Sequence, residues 1–336
     1  MTSDSRARVA VLLSEATRAM VLTGEAEQRL GAVADVRQAT GTPDTWDLPA
    51  LLDGAEACLT GWGTPRLDAE VLQACPSLRL VAHSAGSIRN LVPQEAVGDR
   101  LIVCQAAALI ADSVAELVVL QMLSSLRELH RHDQGLRNGA AWGDLRTEHP
   151  GRLLGARTVG VVGASRTGQA VIQLLRAFGA TILVSDPLLS SEQADALGVE
   201  LLDLDDLLRR SEVVTLHAPL LPETRNLLGA RELRLMRDGA LLVNSARGGL
   251  VEPDALLAEL QAGRITATLD VFPSEPLPPD SEWRKVPNAI ISPHTAGHTL
   301  DSHRRQGDAM VSEIVRFLRK EPLRYAVPAA SVTVLA

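Results

Sequence analysis

From residue 158 onward, apolar residues come in short runs separated by helically spaced stretches. TVGVVG reads as a strand, RTGQAVIQLLRAFG as a helix and ATILVSD as a strand. EVVTLHAP, GALLVNSA, ITATLDVF and NAIISPH are further strands, and EPDALLAELQAG is a helix that Gly263 ends. Such alternation implies parallel pairing through right-handed crossovers, hence a doubly wound sheet. Residues 1 to about 105 alternate RVAVLL, ACLTGW, LRLVAHS and LIVCQ with helical stretches, which reads as a smaller α/β unit. Between the two, Ser113 and Glu116 have capping-box spacing and predict the start of a long helix. Its apolar positions are Val114, Leu117, Val118, Met122 and Leu126, and its basic tail, Arg127 to His132, reads as a solvated face. The last helix, DSHRRQGDAMVSEIVRFLRKEP, is apolar at Met310, Ile314, Phe317 and Leu318. It is expected to return to the first region and make that domain discontinuous. The expectation is one domain from 1–106 plus 298–336 and a second from 107–297.

Composition narrows the classes of function. A chain of 336 residues suggests about two domains. With 46% hydrophobic and 22% charged residues, disordered and collagen-like readings are excluded. The net charge of −8 repels a phosphate backbone, and 2% aromatics gives no stacking platform, so no nucleic-acid partner is expected. Cys58, Cys75 and Cys104 are too scattered for a disulfide framework or a zinc site and read as small buried residues. No uncharged apolar run reaches the ~18 residues of a membrane helix, and the first twenty residues do not read as a signal peptide. A cytoplasmic protein with no membrane partner and no metal is expected.

Gly163-Ala-Ser165-Arg166-Thr167-Gly168 lies between a strand and a helix, where a dinucleotide fingerprint G-x-G-x-x-G belongs. Gly163 permits the tight turn and Gly168 the close packing of helix on strand. The helix start offers free N–H groups to a pyrophosphate. Ser165 replaces the middle glycine and puts a Cβ where backbone should approach phosphate most closely, although its hydroxyl can donate a hydrogen bond. Asp186 ends the next strand, 18 residues past Gly168. A carboxylate there accepts from ribose hydroxyls and repels a 2′-phosphate. The following stretch, PLLSSEQADALGVELLDLDDLL, has no Arg or Lys, so NAD is favoured over NADP. Asp186 also reads simply as a turn former before Pro187. Ser165 as a hydrolase nucleophile fails because the elbow G-x-S-x-G needs glycine where Thr167 stands.

Arg247, Glu275 and His294 each follow a strand of the second region, on the sheet edge where ligands of doubly wound folds bind. Singly, each has a bland reading: a turn cap, a solvated acid, a structural histidine. Together they suit oxidation of a 2-hydroxy acid. Histidine takes the hydroxyl proton, a carboxylate fixes its tautomer, and a guanidinium grips the substrate carboxylate.

These stretches resemble the D-isomer-specific 2-hydroxyacid dehydrogenases, the family that includes phosphoglycerate dehydrogenase and glyoxylate reductase. The resemblance rests on Ser113-Val-Ala-Glu116, GRLLGARTVGVVG, His217-Ala218-Pro219-Leu220 with Thr224, and Asn244-Ser245-Ala246-Arg247-Gly-Gly. It continues in Asp270-Val-Phe-Pro-Ser-Glu275-Pro and Ser-Pro293-His294-Thr-Ala296-Gly297. It implies two Rossmann-like domains with a cleft between them, the 107–297 domain binding NAD and the other binding substrate. By resemblance Arg247 binds substrate, Glu275 partners the histidine and His294 is the acid/base. Gly163, Ser165, Arg166, Thr167 and Gly168 would hold the pyrophosphate and Asp186 the adenosine ribose. His217, Ala218, Pro219 and Thr224 would line the cofactor. Ser245, Ala246, Arg247, Asp270, His294, Ala296 and Gly297 would surround the nicotinamide, Asp270 taking its carboxamide. Ser84, Gly86 and Ser87 look like the loop whose N–H groups take the substrate carboxylate, with Ala85 in place of a usual glycine. Arg89 stands where many relatives carry an acid, and reads as a rim charge or as a selector of a second anionic group. A homodimer through the long helix is implied. Two other readings stay open: an NAD-sensing, corepressor-like scaffold without turnover, and a phosphite dehydrogenase-like enzyme. Formate enzymes pair the histidine with Gln, where Glu275 stands here.

Overall fold

Short runs of β-branched and aliphatic residues set the strands, and the turns after them carry the chemistry. A computed structural model describes residues 6–98 and 100–329. The first five residues, part of the segment read as lacking a leader, lie outside the described residues. Contacts divide the chain into two units, Met1–Ile110 with His298–Ala336, and Ala111–Gly297.

In the first unit β1 (Ala7–Leu12), β2 (Ala34–Gln38), β3 (Ala57–Thr60), β4 (Leu80–His83) and β5 (Ile102–Gln105) form one sheet of order β2-β1-β3-β4-β5, all parallel. One face packs Leu12, Leu52, Leu67 and Val81. The other packs Val11, Leu59 and Leu80 against Met310, Val311 and Ile314 of the helix Leu300–Leu318. Each such fully buried side chain contributes about 1.5–3 kcal/mol. Thr299 caps that helix by accepting from Ser302 N. All three cysteines are free and buried.

The second unit holds β6 (Thr158–Val162), β7 (Thr181–Ser185), β8 (Glu200–Leu201), β9 (Val213–Leu216), β10 (Leu241–Asn244), β11 (Thr266–Leu269) and β12 (Ala289–Ile291). Their order is β12-β11-β10-β9-β6-β7-β8, again all parallel. The chain leaves β6 to one side and later returns as β9 on the other, which opens a crevice at the carboxyl edge. The two doubly wound sheets expected from the alternation are present.

One boundary differs. The long helix runs Ala107–Leu126 and starts before Ser113. Nothing in Ala-Ala-Leu-Ile-Ala breaks a helix, so the capping-box spacing falls inside it and Ser113 Oγ donates to Ala296 O instead, at 2.9 Å. Among the described residues this one helix is long and apolar enough to cross a membrane by length and composition, although it carries Asp112 and Glu116.

Each sheet has one buried histidine at its carboxyl edge. His83 Nδ1 lies 3.0 Å from Thr60 Oγ1, and His217 Nε2 3.0 Å from Thr215 Oγ1. Burial pushes both rings down to about 4. An unfolded chain protonates them near 6.5. Their contribution is therefore complete above pH 6.5 and is lost as pH falls toward 4, by up to about 3 kcal/mol per ring. Denaturation midpoints at pH 7.5 and 5 should differ, and the difference should shrink in His217→Gln. An unaltered pH dependence in that variant contradicts a neutral buried ring.

Candidate active site

The glycine turn after β6 is dictated by packing. Gly163 has φ +96°, and a Cβ there would lie 2.6 Å from Ala218 N. A Cβ on Gly168 would overlap the Gly163 carbonyl oxygen. No other residue lets the helix Arg166–Phe178 start so close to β6 and to the His217–Ala218 turn. Ser165 is the N-cap of that helix, and its Oγ accepts from Gly168 N at 3.3 Å. The middle position of the fingerprint thus caps the helix, a use its side chain fits. The N–H groups of Arg166 and Thr167 have no acceptor among the described residues. Asp186 follows β7 and accepts from Ala164 N (2.6 Å) and Leu188 N (2.8 Å). A carboxylate has about four lone-pair sites, so two stay open. On these observations the turn fits a dinucleotide.

Beyond β9, the His217 side chain is buried, while Ala218 and Pro219 are half-buried. Thr224 Oγ1 donates to Pro219 O (2.6 Å) and accepts from Leu221 N (2.7 Å), which closes this loop.

Beyond β10, the Asn244 side chain shapes the turn. Its Oδ1 accepts from Ala246 N at 3.1 Å, and its Nδ2 donates to Arg247 O at 3.0 Å. Ser245 Oγ donates to buried Gln121 Oε1 at 2.9 Å. A Cβ on Gly248 would overlap Phe272, so glycine lets this turn press against the loop after β11. Arg247 Nη1 donates to Ala246 O at 2.7 Å. Burial lowers the guanidinium's pKa, and the Glu275 carboxylate opposes that shift.

Beyond β11 and β12, Asp270 is fully buried and holds the histidine loop. Its Oδ1 accepts from Ser292 Oγ (2.5 Å), Thr295 N (2.9 Å) and Thr295 Oγ1 (3.3 Å), and its Oδ2 from Ala296 N (2.8 Å). This use differs from the carboxamide contact expected of it. Asp270 O also accepts from His294 N at 2.8 Å, and Gly297 ends the turn. His294 sits at φ 53°, in the left-handed region. Its Nδ1 lies 2.6 Å from Glu275 Oε2, while Glu275 Oε1 accepts from Phe272 N at 2.9 Å. The carboxylate thus joins its own loop to the imidazole, and Nε2 has no partner among the described residues.

Arg247, Glu275 and His294 line one cavity of about 520 Å³, within the size range of small-molecule sites. An imidazole oriented by a carboxylate beside a desolvated guanidinium can move a proton at one atom of a ligand and hold an anionic group at another.

In the first unit, the Ser84 reading needs correction. Ser84 is fully buried, and both its N–H (2.8 Å) and its hydroxyl (2.9 Å) are given to Thr60 O, so neither meets a ligand. The strand-end backbone continues one residue further than the loop reading allowed. Gly86 and Ser87 keep N–H groups without an acceptor among the described residues. Arg89 is exposed. Sequence reasoning passed over Gln121 and the side-chain role of Asn244. A polar residue closing the otherwise apolar LLVN strand was the available signal for Asn244.

Residues 119–296 match the family model described as D-isomer specific 2-hydroxyacid dehydrogenase, NAD binding domain. A D-3-phosphoglycerate dehydrogenase of Archaeoglobus fulgidus is 33% identical over 80% of this chain and 50% of its own length. A glyoxylate reductase of Korarchaeum cryptofilum is 34% identical over 77% of this chain and 78% of its own. The chain therefore spans about half the length of the phosphoglycerate dehydrogenase it matches. The crystal structure of a phosphoglycerate oxidoreductase from Rhizobium etli superposes with a TM-score of 0.78 at 27% identity, covering 96% of this chain and 98% of that one.

Proposed function

The chain belongs to the D-isomer specific 2-hydroxyacid dehydrogenase family, and on that premise we propose that it is an NAD-dependent oxidoreductase interconverting a D-2-hydroxy acid and its 2-keto acid. The observation that carries this reading is the Glu275–His294 contact of 2.6 Å on the wall of the cavity that Arg247 also lines. Bound nicotinamide supplies or accepts a hydride at its C4. In reduction, His294 gives a proton from Nε2 to the keto oxygen, and in oxidation it takes the hydroxyl proton back. Glu275 keeps the other ring proton on Nδ1 and balances the imidazolium charge. Arg247 holds the substrate carboxylate and polarises the neighbouring carbonyl.

Toward the cofactor, Arg166 and Thr167 offer N–H groups to the pyrophosphate and Asp186 its open lone pairs to the ribose. The turns at His217–Pro219, Ser245–Arg247 and Ala296–Gly297 would flank the rest, with Asp270 positioning the last of them. The Gly86–Ser87 loop of the first unit carries N–H groups suited to a carboxylate. The absence of Arg and Lys over residues 187–208 supports NAD.

The test is a panel of 2-keto acids (glyoxylate, pyruvate, hydroxypyruvate and bulkier acids) with NADH and NADPH side by side. Turnover of at least one acid, with NADH favoured at least about tenfold in kcat/KM, is expected. An NADH-induced thermal shift without turnover of any acid would replace the enzyme with the scaffold reading. Equal use of NADPH would remove the role given to Asp186.

A further inference from the structure

The cavity carries a second guanidinium that the proposed reaction does not use. Arg225 lines the same wall as Arg247, on the loop after Thr224. Its backbone is held in place: Arg225 N donates to Leu221 O at 3.0 Å, and Asn226 N, at φ 52°, donates to Gly249 O at 2.9 Å. A Cβ on Gly249 would stand 3.1 Å from Leu220 Cδ2, a tight contact, and 3.6 Å from Arg225 Nη1, an ordinary one, so the guanidinium lies over the Gly249 turn. The Arg225 side chain is exposed at this cavity, and its guanidinium has no hydrogen-bond or ion-pair partner among the described residues. The only acid in the lining is Glu275, already engaged by His294 and Phe272 N. Glu252, on the neighbouring loop, turns its carboxylate to Ala230 N at 3.2 Å.

The charge count then points to a ligand class. When His294 is protonated for reduction, two guanidiniums and an imidazolium face one carboxylate, which leaves two positive charges. A 2-keto monoacid neutralises one of them; a second carboxylate neutralises the other, and a phosphate, at about −1.5 to −2, more than does so. We propose that Arg225 is a specificity-determining residue that takes the distal anionic group, a carboxylate or a phosphate, of a dianionic 2-keto acid whose C1 carboxylate is held by Arg247. This rests on the dehydrogenase reading above. Arg89, exposed in the other unit, is not needed for it.

The experiment compares pairs of 2-keto acids of the same chain length, one with and one without a distal anionic group. Wild type, Arg225→Gln and Arg225→Lys are assayed with NADH on 2-oxoglutarate and 2-oxopentanoate, and on phosphohydroxypyruvate beside hydroxypyruvate. The glutamine cannot disturb the loop through its hydrogen bonds, which are made by backbone. Wild type should favour a dianion, and Arg225→Gln should raise KM for it about 10–100-fold while changing KM for its uncharged-tail partner by under about threefold. Arg225→Lys should restore part of the loss. Whichever pair shows the larger contrast identifies carboxylate or phosphate as the distal group. Calorimetric titration with succinate against butyrate reads the same contrast without turnover. Equal losses on both members of each pair, or none, overturn the assignment of Arg225 and leave the dehydrogenase standing. Wild type inactive on all four acids but active on glyoxylate or pyruvate overturns the assignment of Arg225, and wild type inactive on those as well overturns the dehydrogenase reading beneath it.

Discussion

Replacing His294 by asparagine should lower kcat/KM for reduction of the best 2-keto acid by about 10²–10⁴-fold, the span of a positioned general acid. Asparagine is the informative substitution because His294 occupies φ 53°, where an alanine would strain the loop and asparagine is tolerated. The Asp270 clamp on Ser292, Thr295 and Ala296 stays intact in this variant, so the loss reports proton transfer and not collapse of the turn. The companion variant is Glu275→Gln. Both carboxylate oxygens accept, one from Phe272 N and one from the imidazole. An amide offers only one accepting end. Either the turn or the ring tautomer loses its partner, and a drop of about 10²-fold is expected. Steady-state kinetics with NADH saturating checks both, with an NADH thermal shift to show the variants still fold. His294→Asn within threefold of wild type would falsify the acid/base role.

Much of this site was written locally. A strand that ends in glycine, a carboxylate at the end of the next strand, and Arg, Glu and His each just past a later strand are visible because a parallel sheet delivers all its carboxyl ends to one edge. The strand segments were legible for the same reason: LLVN, TATL and AII are bounded by polar or glycine-rich turns. What stayed hidden depends on partners distant in sequence. Ser113 and Glu116 imitate a helix start, but a start also requires that the preceding residues be unable to continue the helix, and Ala107–Ala111 continue it. Ser84 looked like a loop donor, yet its N–H goes to Thr60, a contact fixed by β3 and β4 pairing side by side. The Ser245–Gln121 bond spans 124 residues. Asp270 illustrates the limit best: the family resemblance implies a cofactor contact for it, and only the fold reveals that residues 292–296 present its carboxylate with four donors.

Arg247 should matter as much as the histidine and by a different signature. The guanidinium is half-buried, and burial lowers its pKa while the Glu275 carboxylate opposes that shift. Less water therefore has to leave when a carboxylate arrives. A fork of two charge-assisted hydrogen bonds, at about 1.5–3 kcal/mol each, corresponds to a loss of about 10²–10⁴-fold in kcat/KM for Arg247→Ala. Part of the loss should fall on KM, since the carboxylate is bound in the ground state. The rest should fall on kcat, because a substrate held at one end only no longer keeps its carbonyl near His294 Nε2. Lysine brings a charge without the planar fork, so Arg247→Lys should recover the KM term better than the kcat term. Asn244 holds the turn from both sides, through Ala246 N and Arg247 O, so the turn should survive loss of the Arg247 Nη1 bond to Ala246 O in either substitution. A KM for the keto acid left unchanged in Arg247→Ala removes the substrate clamp from this account. A kcat left unchanged with KM raised reduces Arg247 to uniform binding, with no share in the chemical step.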